Sequence, residues 1–427
     1  MAKKLTRAEK DKARFLELNT LDRVLTEKEL VELRYLEKKM EANERISAFR
    51  KNQAEPYESK RSRAVNLAWE FYRNIDVDGK CYVAVGGLDS ITLYLFLRSN
   101  GIDVPAVSVS SLEDRSIQKV HKALGVISLR SAKDKNGRTY NKTRVIQDFG
   151  WPVISKEVAG KIAHLQKPTP DNATVRHAIV TGDTGAKGGY QTESKMQLKQ
   201  RWLKLFAGAD PEGAELGYAA AEFLVSDRCC YYLKEKPCDD YHKETGRWPY
   251  MGLMASEGGR REIALAVNGC NYISPNTRRS APFATFYRDD ILRMALEMDE
   301  WYQKNSHLFP GPKIESIIPA IYGKIIVDEK GKLQTTDAQR TGCSMCGFGI
   351  HMEERPHRFD LLWERNQKEW DFWMHRVTKD RDGNWYGWGR VLDYIGVKWK
   401  NPEIYIRAKR ESEAVEQISL FEEDDYE

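Results

Sequence analysis

Four of the chain's seven cysteines stand in two pairs, Cys229-Cys230 and Cys343-Ser344-Met345-Cys346. In a reducing compartment, grouped thiols hold a metal or do redox chemistry rather than form structural disulfides. Two pairs supply the four thiolates that a [4Fe–4S] cluster or a structural zinc requires. Adjacent cysteines suit a cluster, whose iron corners lie close together, better than one tetrahedral zinc, which favours Cys-x-x-Cys knuckles. The cluster is the leading expectation and zinc the alternative. Cys81, Cys238 and Cys270 are scattered, and His351 and His357 read as structural.

A second centre is the loop Val85-Gly86-Gly87-Leu88-Asp89-Ser90. Gly86 and Gly87 let backbone amides approach an anion without interference from a Cβ. They precede a predicted helix, whose N-terminal N–H groups favour phosphate. Asp89 and Ser90 can cap that helix, or bind a nucleotide phosphate and its magnesium.

The elements that must position these residues follow from the apolar pattern. Leu21 to Phe49 reads as helix, and Asn52 to Ser62, polar and containing Pro56, as a linker. Ala64–Tyr72 is predicted helical, Cys81–Val85 a buried strand, Ser90–Asn100 a helix, Val104–Ser110 a strand and Ile117–Leu124 a helix. Strand, loop, helix, strand, helix is the start of a parallel α/β sheet, in which ligands bind at the carboxyl ends of strands. Tyr250–Met254 reads as a further strand and Tyr287–Lys304 as a helix, while 151–240 reads mainly as polar loops. The expected division is a basic helical arm (1–62), an α/β nucleotide-binding domain (63–310), a Cys- and Trp-rich region (311–400) and an acidic, disordered tail (401–427).

The Gly-Gly-x-Asp-Ser loop resembles the PP-loop, Ser-Gly-Gly-x-Asp-Ser, of the adenine-nucleotide α-hydrolase superfamily, whose fold is a Rossmann-like parallel sheet. Val85 stands where Ser is usual and Leu88 where Lys is common. Gly252–Arg261 (GLMASEGGRR) is similar to the Gly-x-Arg-x-x-Glu-Ser-x-x-Arg region of the phosphoadenylyl-sulfate (PAPS) reductase family, and Val107–Glu113 falls where that family's second strand ends. Cys229 to Pro237 (CCYYLKEKP) resembles the Cys-Cys-x-x-x-Lys-x-x-Pro stretch of iron–sulfur adenylyl-sulfate reductases, in which a distant Cys-x-x-Cys completes the cluster. The resemblance covers roughly residues 78–360. It implies that Gly86, Gly87, Leu88, Asp89, Ser90, Glu257, Arg260 and Arg261 bind ATP or an adenylyl-sulfate-type nucleotide. It implies that Cys229, Cys230, Cys343 and Cys346 hold the cluster, with Lys234 near it. Guanidinium groups such as those of Arg260 and Arg261 suit phosphate or sulfate oxygens.

The reductases of that family attack sulfur with a C-terminal cysteine, and this chain has none after Cys346. The expectation moves to relatives that use the same parts in sulfur transfer to tRNA or DNA. A reductase with a displaced nucleophile and a non-catalytic binding module are the alternatives. No general base is identified.

Residues 1–65 hold 17 Lys+Arg against 12 Asp+Glu, whereas Glu411–Glu427 carries eight acidic side chains and no basic one. The basic arm reads as a solvated helical hairpin, with contact to nucleic acid as the alternative. Within the tail, Gln417-Ile418-Ser419-Leu420-Phe421 resembles the peptide that docks bacterial DNA-binding proteins on the replicative sliding clamp. No apolar run approaches the ~20 residues that span a bilayer. The N-terminus has no apolar signal region, so a cytoplasmic protein is expected.

Overall fold

The computed structural model of the chain describes residues 6–207, 221–339, 343 and 345–411, without the side chains at 7, 8, 207, 259 and 260. It divides into two compact units, each drawn from separate stretches: Met1–Ser110, Arg115–Ser128 and Tyr241–Arg340 in one, and Ser111–Asp114, Leu129–Asp240 and Thr341–Glu427 in the other. This interleaving differs from the four consecutive segments expected from the sequence.

The first unit is mixed α/β around a six-stranded sheet. Its strands are β1 (Cys81–Ala84), β2 (Ala106–Ser108), β3 (Ile127–Ser128), β4 (Trp248–Met251), β5 (Asn271–Ser274) and β6 (Thr277–Ser280), in the order β3-β2-β1-β4-β6-β5. All neighbours are parallel except the β5–β6 hairpin. The register sets Val83 beside Ala106 and Cys81 beside Trp248. β1 lies at the centre and Cys81, Tyr82 and Val83 are buried, as expected for a parallel strand covered on both faces.

Five helices of this unit precede β3: α1 (Arg7–Asn19), α2 (Glu27–Gln53), α3 (Tyr57–Arg73), α4 (Leu88–Ser99) and α5 (Arg115–Leu124). α1 and α2 each open on a capping box, Thr6 with Glu9 and Thr26 with Glu29, in which each side chain satisfies the other's orphan amide. The cap at Thr26 starts α2 later than the apolar pattern indicated. The expected linker over Asn52–Ser62 shrinks to a short break, because Pro56 caps α3 and helix resumes at Tyr57. In α4 every residue from Ile91 to Leu97 is buried, so the helix is apolar all round because it lies inside the core. It packs against the helix Arg288–Asn305, which buries Ile291, Leu292, Met294, Ala295 and Met298.

The second unit has its own core, in which Trp151, Trp202, Trp388 and Trp399 pack with Phe206, Phe359 and Met374. Trp151 and Trp388 meet edge to face at 4.7 Å. The stretch 151–240, expected as loops, forms helices at Lys156–Gln166, capped by Ser155, and at Ala173–Thr181. Among the described residues, no helix is long and apolar enough to cross a membrane.

Candidate functional site

In the first unit the glycine loop lies at the carboxyl end of β1. On one side of β1 the chain runs outward to β2 and β3, and on the other it meets β4. Strand order therefore reverses between β1 and β4, where open α/β sheets form a ligand crevice. Gly87 caps α4 in extended conformation (φ −85°) and, having no side chain, gives the helix amides no cap of its own. A Cβ on Gly252, just beyond β4, would come within 2.9 Å of the Ser90 backbone, so glycine is what lets β4 close on the start of α4.

Protein groups hold this loop at three points. His121 Nε2 lies 2.8 Å from the Gly86 carbonyl and Nδ1 lies 3.0 Å from Ser110 Oγ. A carbonyl can only accept, so Nε2 carries the proton. The buried Tyr322 hydroxyl accepts from the Leu88 amide at 3.0 Å. Arg288 pairs with Asp89 at 2.8 Å and donates to the Gln339 carbonyl. Ser90 Oγ accepts from the Gly86 amide and donates to the Gly87 carbonyl. The Gly87 and Ser90 amides find no acceptor among the described residues and remain available to an anion.

Glu257 and Arg261 follow β4 and pair with each other across one turn. Gly258, at φ +76°, caps the helix Gly259–Asn268 that carries Arg261. The side chain of Arg260 and the peptide Gln417–Phe421 lie outside the described residues. Three functional candidates were not singled out from the sequence: His121, Arg288 and Tyr322. Each is remote from the loop in sequence and carries no local signal of its role.

In the second unit, Cys229 and Cys230 sit on a helix that begins at Arg228, passes through a wide π turn at Tyr231–Glu235 and continues from Lys236. In a regular helix the Pro237 ring would press on the Leu233 carbonyl and offer it no N–H. In the π register the Lys236 amide bonds to the Tyr231 carbonyl, and the next donor would be Pro237, which has no N–H. The Tyr232 carbonyl, left over, accepts instead from Ala132 N at 2.9 Å.

The second pair lies in a tight turn closed by Cys346 N to Cys343 O at 3.1 Å. Met345, at φ +55°, anchors that turn in the core. Gly347 follows, where a Cβ would strike the Trp388 ring. Arg358 donates to the Cys346 carbonyl. His357 caps the helix Arg358–Arg365 and pairs with Asp360, and His351 packs edge-on to Trp202.

The two pairs share one electrostatic neighbourhood. Burial pushes the Cys229 thiol up, and Cys343, Cys230 and Cys346 push it further while Lys142 opposes them. Burial likewise raises Cys230 to about 12, with Cys346 and Cys343 adding to it. Burial works against the Lys234 ammonium, yet Cys343 and Glu113 outweigh it and hold the Lys234 pKa above its ordinary value. Lys234 Nζ donates to the buried Glu113 carboxylate at 2.7 Å.

Among the described residues, no three His, Cys, Asp or Glu side chains converge on a single metal ion. A cluster makes a different demand, because it spreads its thiolates over separate irons. Cys229 and Cys230, which feel the charges of Cys343 and Cys346, with Lys142 acting on the first pair and Lys234 beside Cys343, make a donor set that fits an anionic four-thiolate cluster by its chemistry. Comparison with protein-family models, curated proteins and solved structures returns no match for this chain.

Proposed function

We propose that the chain is an enzyme similar to the PAPS reductase family. In this reading it has a PP-loop-type nucleotide fold, holds an iron–sulfur cluster and activates or transfers sulfur onto a nucleic acid. The observation that carries the reading is that Cys229 and Cys230 lie within electrostatic reach of Cys343 and Cys346, from a segment far away in sequence, and that Cys343 in turn acts on Lys234. The sheet order and the loop at the strand-order reversal support the nucleotide half.

A cluster bound to these thiols would supply redox chemistry or sulfide. The chain's own residues do the rest. Lys234 and Lys142 offset negative charge beside the thiolates, and the Gly87 and Ser90 amides receive phosphate oxygens. Arg288 holds Asp89 in place at the mouth of α4. Donors set in advance where charge develops are commonly the largest catalytic contribution.

Burial pushes Cys238 and Cys270 up to about 11, so both are protonated thiols at neutral pH. Neither is a poised nucleophile, which favours sulfur transfer over a displaced sulfonucleotide reductase. One observation favours a second reading, a binding module without turnover: Tyr322 already occupies the Leu88 amide that would face a phosphate.

Anaerobic purification with iron and sulfide assay tests the proposal. About four irons and four sulfides per chain, lost in Cys229→Ser and Cys346→Ser, are expected. A colourless protein with one zinc overturns the cluster. Sulfite release from adenylyl sulfate would restore the reductase, and nucleotide binding without any turnover would leave the binding module.

A further inference from the structure

The second unit carries a groove of about 820 Å³ that the cysteine site does not use. Its rim is the turn between Lys133 and Thr139, which pair as an antiparallel bridge, and its wall is the helix Lys142–Phe149. Four cations line it: Lys133, Lys135, Arg138 and Arg144. Asn136, Asn141, Thr143 and Gln147 add neutral hydrogen-bonding groups.

The two carboxylates present are already committed. Asp134 accepts from the Asn136 and Arg138 amides at 2.9 and 2.8 Å and pairs with Arg144 and Arg138. The hydrogen bond from Arg144, first among several causes, holds its carboxyl down at about 2. Asp148 lies 3.7 Å from Arg144. Lys133 and Lys135 are exposed and make no ion pair among the described residues, leaving net positive charge directed at solvent.

The floor is filled by protein rings. Tyr140 lies 4.5 Å from Tyr232 and has the Arg144 guanidinium 4.9 Å over its ring, and Tyr232 stacks on Phe149. With these rings packed on one another, recognition falls to the cations, which read phosphate rather than base. Lys133, Lys135 and Arg138 are exposed along one turn, spaced over six residues, which suits successive phosphates better than a single one. Tyr232 stands two residues after Cys230, and Tyr140 packs with Cys229 in one apolar cluster.

We propose that this groove binds the phosphodiester backbone of a nucleic-acid strand and seats it against the helix that carries Cys229 and Cys230. The use of the strand as sulfur acceptor rests on the proposed function, whereas the binding itself does not. The test is fluorescence anisotropy of a short labelled single-stranded DNA across a salt series, with the full chain purified anaerobically. In Lys133→Ala/Lys135→Ala, binding should weaken. The slope of log K against log salt should become shallower by about 1.4, because each phosphate neutralised on a single strand contributes roughly 0.7. Lys135→Glu alone should weaken binding further than Lys135→Ala.

An unchanged slope in the double variant, with an unchanged melting temperature, overturns the groove. So does a mononucleotide or inorganic phosphate that binds as tightly as the strand through the same lysines. Iron content read on the same samples separates the two ideas. Strand binding that disappears with the lysines in a protein that lacks iron supports the groove and rejects the cluster, and a full iron content with no strand binding does the reverse.

Discussion

Gly252 illustrates how much one residue controls at the glycine loop. Its missing Cβ lets the end of β4 lie against the backbone of Ser90, and Asp89 is next to that contact. Gly252→Ala should force the start of α4 away from β4. The expected loss is about 1–3 kcal/mol of stability, as for other overpacked sites, with weaker adenine-nucleotide binding. Urea denaturation and calorimetric titration check both, and a variant with wild-type values for both would show that the contact relaxes freely. The pair Gly86-Gly87 was legible in the sequence as a turn between a strand and a helix. The residues that brace it were not, because His121, Tyr322 and Arg288 reach it only after the chain has folded.

At the scale of elements, the π turn at Tyr231–Glu235 decides which way the first cysteine pair faces. Pro237→Ala would supply the N–H that a regular helix gives the Leu233 carbonyl and remove the ring that presses on that carbonyl, taking away the reason for the wide turn. Closing it to regular helix shifts the register by one residue, about 100° of rotation, between Cys229-Cys230 and the residues after Lys236. Iron content should fall severalfold while the melting temperature holds or rises, because alanine is the better helix former. Equal iron content in the variant would reject the link between the turn and the cluster. The strand β1 and helix α4 were readable from unbroken apolar runs. β3, β5 and β6 were not, since these short strands lack an apolar run and rely on their neighbours.

For the molecule as a whole, the first unit is tied together by a buried ion pair. Lys60 on α3 is 3% exposed and Asp290 on the helix Arg288–Asn305 is 7% exposed, and they hydrogen-bond directly. Lys60 also donates to the Gln53 carbonyl and lies 4.7 Å over the Tyr287 ring. Asp290→Ala would strand a buried ammonium, and such losses run to about 3–5 kcal/mol. Chemical denaturation of the variant should show that loss. A change below about 1 kcal/mol would mean that the ammonium finds water or another acceptor.

By itself, the sequence singled out two candidate sets of residues for the proposed chemistry and determined the central strand–loop–helix that presents one of them. Both are local properties, set by cysteine spacing, glycine placement and apolar runs within a few residues. Only tertiary structure decided that the chain forms two units interleaved in sequence, that the strand order reverses beside the glycine loop, that Cys229-Cys230 falls within electrostatic reach of Cys343 and Cys346, and that Lys234 pairs with Glu113. These are contacts between residues far apart in sequence. Their formation depends on which apolar faces bury against each other, and no local pattern encodes that choice.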